Sequence, residues 1–118
     1  MRMESLTKAP ALSFVMVGAL ITSAATAESL YTVVDLGTLG GTESHAYGIN
    51  NIGQVVGEAQ IVAGPSHAFL WEDGVMTDLG TLGGQGSAAR DMNEFGQVAG
   101  SAQIDPDVWN HHAFLWEG

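Results

Sequence analysis

From residue 28 onward, apolar residues come in short runs separated by Gly, Asn, Asp and Pro, and none keeps the 3.6-residue period of an amphipathic helix. The runs predict strands at 31–36, 44–49, 54–61 and 67–71, and again at 75–79, 87–92, 97–104 and 112–116. The first of them, Tyr31-Thr32-Val33-Val34-Asp35-Leu36, is rich in β-branched side chains. Between the second and third strands of each set stand Asn50-Asn51-Ile52-Gly53 and Asn93-Glu94-Phe95-Gly96. Asn can bond its own backbone and Gly accepts a left-handed conformation, so these segments predict tight turns between antiparallel partners. Gly40-Gly41 and Gly83-Gly84 allow a sharp change of direction after the first strand.

The two sets of strands are copies of one unit. Asp35-Leu36-Gly37-Thr38-Leu39-Gly40-Gly41 returns as Asp78-Leu79-Gly80-Thr81-Leu82-Gly83-Gly84, an offset of 43 residues. The same offset carries Asn50 to Gly57 onto Asn93 to Gly100. His67-Ala68-Phe69-Leu70-Trp71-Glu72 then returns as His112-Ala113-Phe114-Leu115-Trp116-Glu117 at an offset of 45, so two residues have been gained around Asp105-Pro106-Asp107. A period of roughly 40–50 residues marks a repeat architecture, in which one unit cannot bury its apolar surface alone. Unit one is expected at about 31–74 and unit two at about 75–118.

Alternation along the fourth strand sets Ala68 and Leu70 on one face and His67, Phe69 and Trp71 on the other, so both faces carry apolar groups. A sheet of this kind needs a neighbour on each side, as stacked blades or solenoid turns provide.

These motifs resemble the bacterial extracellular HAF repeats, whose hallmark stands here as His67-Ala68-Phe69 and His112-Ala113-Phe114. The Asp-Leu-Gly-Thr-Leu-Gly-Gly, Ile-Asn-x-x-Gly-Gln-Val-Val-Gly and His-Ala-Phe-Leu-Trp segments extend the resemblance over nearly all of 28–118. It implies a secreted protein of largely unknown activity with β-propeller-like blades. The fold class expected is therefore all-β: tandem four-stranded antiparallel blades, two repeats in an incomplete ring. Propellers close with about four to eight blades, so two units leave outer faces unpaired. The chain is expected to be part of a longer array or to self-associate.

Composition adds a compartment. Residues 1–27 have the layout of a secretory signal: Arg2 and Lys8 near the start, an apolar run from Ala9 to about Ile21, and Ala25-Thr26-Ala27 before the expected cleavage. The competing reading is a retained anchor, because the apolar run approaches the roughly 20 residues that cross a bilayer. Secretion or periplasmic export is the expectation for 28–118, with no stable membrane insertion after cleavage. No Cys occurs, so neither disulfides nor a lipidated cysteine can contribute. Beyond residue 27 there are 12 carboxylates against Arg90 alone, a net charge near −11. Such a surface repels phosphate backbones and argues against nucleic-acid binding.

Candidate chemistry is sparse. His67 and His112 share a repeat position, which favours an architectural role; His111 and His112 are strand neighbours that point apart; His45 stands where the second unit has Ala88. No set has zinc-ligand spacing. Asp91-Met92-Asn93-Glu94-Phe95-Gly96 begins like a calcium loop, but Phe95 replaces the third oxygen ligand. There is no Gly-x-Ser-x-Gly elbow. Trp71 and Trp116 are repeat positions and expected in the core, whereas Trp109, in the expanded loop, is the one non-repeated Trp and the expected ligand contact. The expectation is a non-catalytic structural or interaction module without cofactor or metal, its partner a protein or carbohydrate. The alternative is a secreted propeller-type hydrolase, whole or in part, acting on carbohydrate through loop carboxylates.

Overall fold

The computed structural model describes residues 30–118. The expected signal or anchor at 1–27 lies outside the described residues. Leu36–Gly118 forms one compact unit, described here by itself; Leu30 to Asp35 belong to a separate N-terminal unit. The compact unit is all-β. Sheet A contains β1 (Gly40–Ile49), β2 (Val55–Ile61), β3 (Ser66–Glu72) and β4 (Val75–Gly80), in that spatial order. Sheet B contains β5 (Ser87–Met92), β6 (Val98–Gln103) and β7 (His111–Trp116). Every neighbouring pair is antiparallel.

Seven of the eight expected strands form. The exception is 31–36, where no strand is present although its repeat equivalent, Val75–Gly80, is β4. Strand propensity supplies no ladder partner. β4 has one because the two-residue turn Asp73-Gly74, with φ of 49° and 90°, folds it back onto β3. Consequently the strand that opens the second sequence unit completes the sheet of the first.

The Asn-x-x-Gly-Gln turns are identical in the two repeats. Asn50 Oδ1 accepts from the backbone N–H of Ile52 and Gln54, and Asn93 Oδ1 from those of Phe95 and Gln97, at 2.9–3.2 Å. Asn50 Nδ2 and Asn93 Nδ2 each donate to the Gln four residues on, at 2.7 Å. Those glutamines donate in turn to Glu72, the last residue of β3, and to Glu117, just after β7. Gly53 and Gly96 take φ of 87° and 83°, as the turn requires. The recurrence of Asn, Gly, Gln and Glu is thereby a hydrogen-bond requirement.

Gly57 and Gly100 recur for a different reason. A Cβ on Gly57 would collide with the His45 carbonyl, and one on Gly100 with the Ala88 carbonyl. In both hairpins the first strand carries a register shift beside this contact, at Ala46/Gly48 and Ala89/Asp91. The bulge brings the backbones together where only hydrogen fits.

The core lies between the sheets. Val56 and Ala68 of sheet A meet Ala89 and Val98 of sheet B, with Leu70, Leu79, Met92, Phe114 and Trp116 packed around them. The pairings Val56↔Leu70 and Glu58↔Ala68 place these residues on one face of sheet A. On β7 the inward face is the other one: Phe114 and Trp116 pair with Gly100 and Val98. The recurring strand thus turns Ala68/Leu70 to the intersheet core in the first unit and Phe114/Trp116 in the second, while Phe69 and Ala59 on the opposite face of sheet A are buried as well.

One hydroxyl joins the sheets. Ser87 Oγ on β5 accepts from the backbone N–H of Ala68 on β3 at 2.8 Å and donates to the carbonyl of Gly80 on β4 at 2.5 Å. Ala68 is fully buried and Ser87 nearly so. The turns add a second link: Asn50 Nδ2 donates to the Asn93 carbonyl at 3.2 Å, and Asn51 N–H to Glu94 Oε1 at 2.9 Å.

Ser87→Ala leaves a buried N–H without a partner and is expected to lower unfolding stability by about 1–3 kcal/mol. Its repeat counterpart Ser44 bonds only the Gly37 carbonyl, at a less buried position, so Ser44→Ala should cost under about 1 kcal/mol. Urea denaturation of both variants checks the difference; equal losses would contradict the bridging role of Ser87.

Candidate functional site

The two-residue expansion of the second repeat shapes one of the surface clefts. In the first unit the β2–β3 connection closes with the N–H of Ile61 donating to the Pro65 carbonyl, whereas in the second Ile104 N–H donates across a longer loop to Asn110. The longer loop is pinned from below. Gln103, buried, donates from Nε2 to the Val108 carbonyl at 2.8 Å, and Gln85 Nε2 to that of Pro106 at 3.2 Å. Asp105 Oδ1 accepts from Asp107 N–H at 2.8 Å, forming an Asx turn around Pro106.

This loop walls a cleft of about 290 Å³ lined by Pro65, Gln85, Gln103, Asp107, Trp109 and His111 among others. Trp109 is 86% exposed, and its indole stacks on His111 with ring centroids 5.9 Å apart and planes 17° from parallel. A second cleft of about 320 Å³ shares Pro65, Gly86 and His111 and runs over Glu58, Arg90 and Ser101. Arg90 lies over Tyr47, its guanidinium carbon 4.9 Å from the ring centroid, while the Tyr47 hydroxyl donates to Glu58 Oε2 at 3.1 Å. The arrangement fixes a cation, a phenol and a carboxylate without sealing them from water.

Each cleft contains one carboxylate, Asp107 in the first and Glu58 in the second. Among the described residues no three His, Asp or Glu side chains gather as metal ligands would. The oxygens of the calcium-like turn are already engaged: Asp91 Oδ1 accepts from Met92 N–H, Asn93 Oδ1 from two backbone N–H groups, and Glu94 Oε1 from Asn51 N–H across the repeat boundary.

The histidines differ in their surroundings. His67 Nδ1 contacts both carboxylate oxygens of Asp78 at 2.9 Å, binding β3 to β4. His112, its counterpart on β7, is exposed, and His45 stacks on Tyr47. Trp71 and Trp116 are both half-buried rather than enclosed, with Trp116 on the intersheet core. Sequence reasoning missed the Arg90–Tyr47–Glu58 group, in which Tyr47 and Arg90 share one repeat position at the 43-residue offset but differ in type, and the Ser87 bridge, whose signal was the recurrence of Ser44 at the same offset.

No protein-family model, no curated protein and no solved structure matches this chain. No helix among the described residues is long and apolar enough to cross a membrane.

The contrast between the two tryptophans is testable. Trp109→Ala is expected to change stability by no more than about 0.5 kcal/mol, the range of exposed substitutions. Trp116→Ala removes an aromatic packed on the core and should cost about 2 kcal/mol or more. Thermal or urea unfolding of the two variants measures both; a large loss at Trp109 would give that side chain a structural role.

Proposed function

We infer that this chain is a secreted, non-catalytic repeat protein of the HAF type, whose propeller-like blades form a rigid support for a ligand-binding edge. The observation that carries the reading is a division of labour. The polar residues that recur, Asn50/Asn93, Gln54/Gln97 and Glu72/Glu117, are consumed in the turns and sheet edges. Trp109, an exposed aromatic, stands in the loop that the second repeat has expanded.

Carbohydrate is the ligand class that suits this edge. A flat, solvent-facing indole offers a surface to the apolar face of a sugar ring, and Asp107, Gln85 and His111 supply polar groups around it. The acidity of the chain disfavours anionic ligands and leaves neutral glycans acceptable. Hydrolysis of a glycosidic bond canonically takes two carboxylates flanking the bond. With one in each cleft, binding without turnover is the reading favoured.

A neutral-glycan array probed with the full chain and with Trp109→Ala tests it. The wild-type chain is expected to retain at least one glycan class, and the variant to bind it about tenfold more weakly, equivalent to about 1.4 kcal/mol. Product release abolished by Asp107→Asn or Glu58→Gln would replace the binding role with a hydrolytic one.

A further inference from the structure

The Trp109 cleft does not end at His111. Pro65, Gly86 and His111 line both it and the second cleft, so the two, of about 290 and 320 Å³, meet and form one groove. The floor at their junction is fixed by the connector between β4 and β5. The Gly86 carbonyl accepts from the N–H of Gln103 at 2.9 Å, and Gly86 lies so close to Ser66 that a Cβ would meet that residue's carbonyl oxygen at 3.3 Å.

The two ends of the groove differ in chemistry. Pro106, Val108 and Trp109 line only the first cleft, whereas Glu58, Ser66, Arg90 and Ser101 line only the second. At the polar end Tyr47 touches both charged groups: its ring lies under the Arg90 guanidinium, and its hydroxyl donates to Glu58 Oε2. Glu58 Oε1 is thereby left for another donor. Among the described residues the ion pair within 4.0 Å is His67 with Asp78, so Arg90 and Glu58 do not consume each other. Arg90 is exposed and Glu58 half-buried, which keeps a fork of N–H donors and a carboxylate oxygen open to a ligand.

We propose that the polar end is a second sugar subsite, so that the ligand is a neutral glycan of at least two units. One ring stacks on Trp109, and the next places adjacent hydroxyls between the Arg90 guanidinium, which donates, and Glu58 Oε1, which accepts. This rests on the carbohydrate reading of the Trp109 edge and adds the length and polarity of the ligand. A pair of sugar hydroxyls is donor and acceptor at once, and a guanidinium beside a carboxylate meets both demands with charge-assisted bonds. Ser66 and Ser101 supply hydroxyls of either sense on the same wall. A carboxylate ligand would suit Arg90 but would face Glu58 and an acidic chain, so charge favours a neutral partner. Asp107 lines only the first cleft and Glu58 only the second, so each carboxylate serves its own ring.

NMR titration of the full chain tests this with the single sugars and the two-unit and four-unit oligomers of β-1,4-linked glucose, N-acetylglucosamine and mannose and of α-1,4-linked glucose. In a series that binds, the two-unit oligomer is expected to bind about tenfold more tightly than the single sugar. Arg90→Gln and Glu58→Gln should each abolish that gain and leave single-sugar binding as it was, whereas Trp109→Ala should weaken every length alike. Neither substitution removes a core side chain, so both variants are expected to keep the wild-type urea midpoint, and either one that does so decides the outcome. No gain with length in the wild-type chain, or a gain that survives in the variants, overturns the second subsite and leaves the Trp109 site standing. Loss of single-sugar binding in a folded variant merges the two ends into one site and overturns the division. Binding of no series overturns the subsite and the carbohydrate reading together.

Discussion

The joint between the two sheets follows from a sheet that is apolar on both faces. Burying one face of such a sheet leaves the other in water, at a cost of about 25 cal/mol for each Å² of apolar surface left wet. The observed solution is a second sheet of the same sequence, met on alternate faces: Val56, Ala68 and Leu70 from the first unit against Val98, Phe114 and Trp116 from the second. Ser87 completes the joint, because its single hydroxyl satisfies a buried N–H on one strand and a carbonyl on the next. With no disulfide and no clustered metal ligands among the described residues, packing and these hydrogen bonds hold the unit.

The repeat residues that look chemical in a sequence become structural once the sheets are drawn. His67 clamps β4 through Asp78, Asn50 and Asn93 build turns, and Gln60 and Gln103 hold the connectors that follow the Gly-Gly pairs. What remains for function is the part that breaks the repeat. The extra two residues before β7 raise Trp109 above a cleft, and the loop beneath it is fixed by Gln85 and Gln103 rather than left free to collapse. A rigid aromatic on a pinned loop loses little conformational entropy on binding, which is the property a recognition surface needs.

Much of this was legible in the residues. The offsets of 43 and 45 located seven strands, the Asn-x-x-Gly turns and the loop carrying Trp109, because local turn chemistry and period-two patterning act over a few residues. Residues 31–36 were misread for the converse reason: strand formation depends on a neighbour, which propensity does not encode. The Asp73-Gly74 signal was present and explains why the equivalent segment at 75–80 does pair. The Arg90–Tyr47–Glu58 group was not read because Tyr47 and Arg90, equivalent at the 43-residue offset, are residues of different type, and the contact between them depends on how β1 and β5 meet. Asn93 was weighed as part of a calcium-like turn, and its Oδ1 accepts instead from the Phe95 and Gln97 amides.

The central claim is that neither sheet is complete without the other, and native-state hydrogen exchange reads this most directly. The amides of Ala68 in sheet A and Ala102 in sheet B should open with the same free energy, close to that of global unfolding. Exchange in sheet B that is faster by orders of magnitude, while sheet A stays protected, would show two independent sheets and contradict the account.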